Sequence, residues 1–239
     1  MSSASVIVRL DAECDDFARR CGAFSQDMTA NRAKMFVLQH RQNTRFRNSV
    51  LKLRVATNCP EWDVKMGIIA ACTEEIIADV EHGAGQPHWK ILEDLGVSIG
   101  LDRTEIQNAK PLPSTQLSWS AWEGLMSNTH WLKGLIANTC AERINIPGYG
   151  DGEFREKGWF GMERRRWQEI FNLSEDELFF FKLHSVADIV HSDLGWNTAA
   201  KYAVDLHMED EIVEACRINL IVWENYLDGI MAGGDALDS

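Results

Sequence analysis

The chain reads as an all-α protein, a bundle of seven or eight helices. Three observations predict this. Prolines are few, at positions 60, 87, 111, 113 and 147, and the long stretches between them carry apolar residues at helical spacing. Alternation of period two is confined to a weak trace at Ser5 to Leu10, too little for a sheet. The connections between the periodic stretches are short, which favours helices packed against their neighbours in sequence.

The first clear helix is expected over roughly 31–56. Pro60 follows it, and Glu61 and Asp63 suit the start of a second helix, which is expected to run to about Glu81. Gly83, Gly85 and Pro87 break it. A third begins near His88 and ends near Gly100. A short one is expected at 102–109, where Asp102 and Glu105 form a capping pair. Pro111 and Pro113 make a rigid loop. A long helix then carries Trp119, Trp122, Leu125, Trp131, Leu135 and Glu142, and Pro147 with the glycines at 148, 150 and 152 ends it. Further helices are expected at about 153–171, 175–194 and 209–231.

The 239 residues suit one domain, 1–239, with 1–10 and 233–239 expected to fray. Acids outnumber Lys and Arg by 36 to 24, a formal net charge of -12, so a nucleic-acid partner is not expected. The densest basic run, Arg164 to Arg166, has Glu163 and Glu169 beside it and reads as a solvated helix face. The six cysteines, at 14, 21, 59, 72, 140 and 216, form no CxxC pair and read as free, buried thiols. No apolar run is long enough to span a bilayer, and residues 1–11 lack a basic-then-apolar leader. A cytoplasmic protein with no membrane partner is the expectation.

The most informative segment runs from Phe179 to His191. His184, Asp188 and His191 stand at i, i+4 and i+7, within about 60° of one another on a helix. Phe180 and Phe181 share their face, while Glu175, Lys182 and Asp193 occupy the other. The His/Asp/His stripe is therefore expected to point inward, where an unpaired carboxylate is costly. Imidazole and carboxylate together suit iron, manganese or zinc. Taken alone, the segment fits a buried His–Asp–His hydrogen-bond network equally well. Glu81 and His88 flank the turn of Gly83, Gly85 and Pro87, which can aim both at one point from two helices. Glu142 sits near a helix C-terminus, an unfavourable place for a carboxylate; a metal ion would compensate it, as would Arg143 or a nearby lysine.

The order Glu81-x6-His88, then Glu142, then Phe180-Phe181-Lys182-Leu183-His184 with Asp188 and His191, resembles the heme-oxygenase-like di-iron oxidases and oxygenases. These share a seven-helix bundle with thiaminase-II and pyrroloquinoline-quinone-synthase proteins. The resemblance spans roughly residues 30 to 230. It implies that Glu81, His88, Glu142, His184, Asp188 and His191 are at once the metal ligands and the catalytic set, holding two Fe(II) per chain. It also implies O₂ as co-substrate and a small amino-acid-derived substrate, in natural-product pathways. Oxidation, oxygenation or cleavage of a C–C or C–N bond would follow. An external electron donor and a homodimer are compatible with it. One subgroup makes para-aminobenzoate from its own tyrosine; here Ala141 and Phe180 stand beside the ligands where that tyrosine is expected. Two other readings compete: a thiaminase-II-like hydrolase or cofactorless oxidase with Cys140 as nucleophile, and a non-catalytic helical binding protein.

Overall fold

The computed structural model describes residues 2–237, and of Val190 the backbone alone. Among these residues the fold is all-α. The elements are α1 (Ser3–Arg20), α2 (Gly22–Ser25), α3 (Ala30–Arg45), a π-helical segment (Phe46–Leu51), α4 (Lys52–Asn58), α5 (Trp62–Ile76), α6 (His88–Ser98), α7 (Arg103–Asn108), α8 (Pro113–Ser127), α9 (Trp131–Arg143), α10 (Gly152–Phe171), α11 (Phe179–Asp205) and α12 (Glu209–Asp235).

The N-terminus departs from expectation. Residues 3–10 do not fray and do not alternate as a strand; they open α1. Ser2 caps that helix by accepting from the Ser5 N–H, and Val6, Leu10, Cys14 and Phe17 form a buried stripe at helical spacing that packs α1 on α11 and α12. Residues 233–235 likewise continue α12, while Asp238 and Ser239 lie outside the described residues. The long helix expected to reach Glu142 is two helices. His130 ends the break between them, its ring accepting from the Leu132 N–H as the N-cap of α9. Asn128 and Thr129 favour such a turn over continued helix.

The helix expected at 31–56 is present as α3 and α4, joined through the π-helical segment. A π turn inserts an extra residue and rotates the following face. Here it sends Arg47 and then Lys52 into the interior, 2% and 3% exposed. The second helix stops at Ile76, five residues short of its expected end, and turns occupy the chain from there to Pro87. The helix expected at 175–194 starts later and runs on to Asp205.

The bundle centre is made by α3, α9, α11 and α12, with α12 packed on α3, α8 and α9, and α9 packed on α11. Trp122, Trp167, Trp196, Tyr226, Phe36, Phe180 and Phe181 fill it without exposure above 2%. All six cysteines are buried free thiols. The arginine run reads as foreseen in part: Arg165 pairs with Glu153 and Glu169 on the surface, whereas Arg166 also reaches the buried Glu163.

One internal ion pair fixes α6 against α3. Arg41 meets Glu93 at 2.6 Å through Nη2 and 2.8 Å through Nε, and both side chains are about 95% or more buried. Gln107 and Arg103 donate to the second oxygen of Glu93. Because α6 begins at His88, this pair sets where that imidazole enters the bundle. Removing Glu93 leaves Arg41 buried without its counter-ion, so Glu93→Ala is expected to lower unfolding free energy by about 3–5 kcal/mol in urea denaturation. Arg41→Ala should cost less, because Arg103 and Gln107 still donate to Glu93.

Candidate metal centre

A small internal cavity of about 40 Å³ lies where α4, α5, α6, α9 and α11 converge. Its walls carry five of the six residues singled out from the sequence: His88, Glu142, His184, Asp188 and His191. The sixth, Glu81, is corrected by the structure. Because α5 ends at Ile76, Glu81 falls on an exposed turn and does not line the cavity. Glu75 and Glu74, six and seven residues earlier and on α5, line the cavity in its place.

His88 is the first residue of α6, after Pro87 as N-cap, and is 3% exposed. Its Nε2 lies 2.9 Å from Asp79 Oδ2 and its Nδ1 lies 3.3 Å from Glu75 Oε2. Burial opposes a charged imidazole here, but Glu75 and Asp79 overcome it and raise His88 to about 10. The same pairing, helped by Lys52, holds Glu75 down at about 2 against the cost of burial. Asp79 is fully buried. Burial again opposes its charge, and hydrogen bonds from His88 and His82 keep it well below the usual carboxylate range.

His184 behaves differently. Its Nδ1 lies 2.8 Å from the Phe180 carbonyl, which can only accept, so the proton sits on Nδ1 and Nε2 carries a free lone pair. Burial and the neighbouring charge of His88 press it down to about 3, so it is neutral. Its ring centre is 4.6 Å from that of His88. Asp188, one turn along α11, accepts from Asn145 Nδ2 at 2.9 Å. Burial and the nearby Glu142 raise it to about 8. His191 faces Glu74 at 3.2 Å; burial opposes its charge, yet that contact raises its pKa.

Of the two side-chain partners open to Glu142, the structure shows a lysine: Lys52 Nζ donates to Oε1 at 3.1 Å. Lys52 is a cation inside the cavity wall. Burial would strip its proton, but Glu142 and Glu75 outweigh that and raise it. The arrangement is therefore a group of carboxylates and imidazoles in which the Lys52 ammonium and the His88 imidazolium supply positive charge. Among the described residues, Glu74, His82 and His191 place ligand atoms within 4.8 Å of one another. His82, which follows Glu81 in the chain, thus joins the cluster, held through Nδ1 by Asp79 at 2.8 Å.

Asn145 is itself held by a close backbone approach. Gly158 has φ of 69° within α10, and a Cβ there would meet the Asn145 carbonyl at 2.2 Å. The Trp159 N–H donates to that carbonyl at 3.0 Å. Only glycine allows this contact.

The residues missed in the sequence are Lys52, Glu74, Glu75, Asp79, Asn145 and His40. Glu74 and Glu75 carried a usable signal, two acids within the apolar run Met66 to Ile77. Lys52 and Asn145 carried none. His40 is buried, stacked on Phe36 with ring centres 4.7 Å apart, and its Nδ1 lies 3.3 Å from the Tyr226 hydroxyl.

Fold and site together define a class: a heme-oxygenase-like helical bundle whose interior holds a carboxylate–imidazole cluster suited to a metal. The comparisons with known proteins agree. Residues 36–224 match the family model described as iron-containing redox enzyme, and the chain belongs to that family. It is 25% identical over 158 residues to a 4-aminobenzoate synthase of Nitrosomonas europaea, a match covering 64% of this chain and 58% of the relative's length. A domain of unknown function with a heme oxygenase-like fold from Shewanella denitrificans superposes with a TM-score of 0.74 at 15% identity, over 100% of this chain and 96% of its own. No helix among the described residues is long and apolar enough to cross a membrane.

Two expected outcomes follow from the geometry. Glu75→Ala should weaken binding of Fe(II) or Zn(II) by tenfold or more in calorimetric titration, while Glu81→Ala should leave it within about twofold. Acid should also destabilise the fold through His40. Burial lowers it from 6.5 to about 4, so the folded state binds fewer protons than the unfolded state between those values. Stability is intact above pH 6.5 and falls as pH drops toward 4, by about 3 kcal/mol for this group. Denaturation of chelated His40→Gln across that range should show a correspondingly shallower decline than the parent.

Proposed function

We propose that this chain is a non-heme, O₂-dependent oxidoreductase that holds two irons and acts on a small, amino-acid-derived metabolite. The observation that carries this reading is the buried carboxylate–imidazole cluster: Glu74 Oε2, Glu75 Oε2 and His88 Nδ1 form no hydrogen bond of good geometry and meet only ion-pair contacts, Glu74 with His191 at 3.2 Å and Glu75 with His88 at 3.3 Å. Such contacts satisfy buried polar atoms poorly. Together with the free Nε2 of His184, they fit a cation better than they fit one another. The donor set is oxygen-rich with imidazole, which suits iron.

Glu75, His88 and His184 would hold one ion, and Glu142, Asp188 and His191, with Glu74 and His82 at hand, would hold the other. Iron bound there would supply the electrons that activate O₂. The chain's own residues prepare the site. Asn145 fixes the direction of Asp188, and the Phe180 carbonyl fixes the His184 tautomer. His88 and Asp188 must each release a proton to become ligands, so metal uptake should weaken toward acid pH. Lys52 neutralises Glu142 and Glu75 and must share them when a cation enters. Phe160, Trp159 and Leu227 on the cavity wall keep water out.

The tyrosine-consuming reaction suggested by the 4-aminobenzoate synthase relative finds less support: none of Tyr149, Tyr202 and Tyr226 lines the cavity. The hydrolase reading loses its nucleophile. Cys140 is fully buried, accepts from Asn219 Nδ2 at 2.8 Å, lies outside the cavity lining, and is raised well above an ordinary thiol by burial and by Cys216. A thiolate is the reactive form.

After anaerobic loading and desalting, elemental analysis should find close to two irons per chain. The loaded protein should take up O₂ faster than the chelated protein. A chain that retains no iron and takes up no O₂ under these conditions ends the reading.

A further inference from the structure

Arg47 is a buried cation that the cluster above does not use. It is 2% exposed, lines the same cavity, and has no carboxylate within ion-pairing distance among the described residues. Its Nη1 donates to Asn48 Oδ1 and its Nη2 to the Ala137 carbonyl, each at 2.8 Å. Its Nε has no partner. Its guanidinium lies 5.1 Å from the ring centre of Trp122 and 5.0 Å from that of Trp223. These rings hold the plane of the group while leaving its edge free. Trp223 also lines the cavity, and its Nε1–H is likewise without a partner.

Burying a guanidinium without a counter-ion is costly. Among the described residues, the other strongly buried Arg and Lys side chains have an acid beside them: Arg41 has Glu93 and Lys52 has Glu142. Burial depresses Arg47 to about 10, opposed only in part by Cys140, Glu142 and Glu75. The local backbone supports a selected position, because Arg47 points inward only through the π-helical turn of Phe46–Leu51, a feature frequent at functional sites.

We propose that Arg47 is the anchor for a carboxylate on the substrate, received by its free Nε edge with the Trp223 indole N–H as a second donor. A planar carboxylate matches the planar guanidinium edge, which donates hydrogen bonds and accepts none. The enclosed space of about 40 Å³ admits a carboxylate head with one or two carbons, so the remainder of a larger acid must displace a wall. The inference rests on the cavity being the substrate site, but not on which metal, or how many, the cluster holds.

Acetate is the probe, with acetamide as its uncharged isostere and inorganic phosphate as a tetrahedral anion. Each is titrated into zinc-loaded protein and into chelated protein, so that direct metal binding is separated from binding at Arg47. In the parent, acetate should bind saturably in both forms, more tightly than acetamide or phosphate. Arg47→Gln should weaken acetate by about tenfold or more in both forms, and Arg47→Lys should restore part of it. Where Arg47→Gln does not fold, the Arg Nε–H resonance of the parent serves: it should shift with acetate along the same saturation curve. Equal acetate affinity in parent and Arg47→Gln, acetamide binding as well as acetate, or an Nε–H resonance unmoved at saturation would each overturn the proposal. A chain that binds acetate through Arg47 yet retains no iron would leave this inference standing while the oxidoreductase reading fell.

Discussion

The structure is governed by the need to keep several carboxylates inside a helix bundle. Glu75, Asp79 and Asp188 are buried, and Glu142 reaches the same cavity. Like charges at short range in a medium that screens poorly repel strongly, and a buried anion must find a cation or a proton. Each device seen here is present. Lys52 and His88 supply cations, Asn145 supplies a hydrogen bond, and Asp188 is driven up to about 8, where it holds a proton. The resulting balance is close, and Glu74 Oε2 and Glu75 Oε2 are left with ion-pair contacts at 3.2 and 3.3 Å and no hydrogen bond.

The elements around the cluster are arranged to make that balance possible. The π-helical turn between α3 and α4 swings Lys52 inward. The early end of α5 leaves a turn from which Asp79 and His82 reach back to His88. The Arg41–Glu93 pair ties α6 to α3, and the close approach of Gly158 to Asn145 steadies the partner of Asp188. None of these contacts lies in one helix alone. The site is thus a property of the packing, and a fault in any of the four supports would displace the residues of the cluster.

The cavity lining combines two kinds of group. Glu74, Glu75, Glu142 and Asp188 supply carboxylates, in keeping with membership of the iron-containing redox enzymes. Arg47 Nε and the Trp223 indole N–H are donors without an acceptor on the same lining.

Much of the architecture was legible in the residues themselves. Helical periodicity and few prolines dictated an all-α bundle, and the spacing of His184, Asp188 and His191 put three site residues on one inward face, because a helix repeats every 3.6 residues whatever surrounds it. His88 and Glu142 were also legible, from a glycine–proline turn and from an ill-placed carboxylate. What tertiary structure decided was which acid of α5 faces the cavity. Glu81 and Glu75 are six residues apart, and a helix that stops at Ile76 exposes the first and buries the second. Lys52, Asn145 and Arg47 were equally invisible, since each acts on a group 43 or more residues away in the chain. Local sequence fixes the face of a helix; only packing fixes what that face meets.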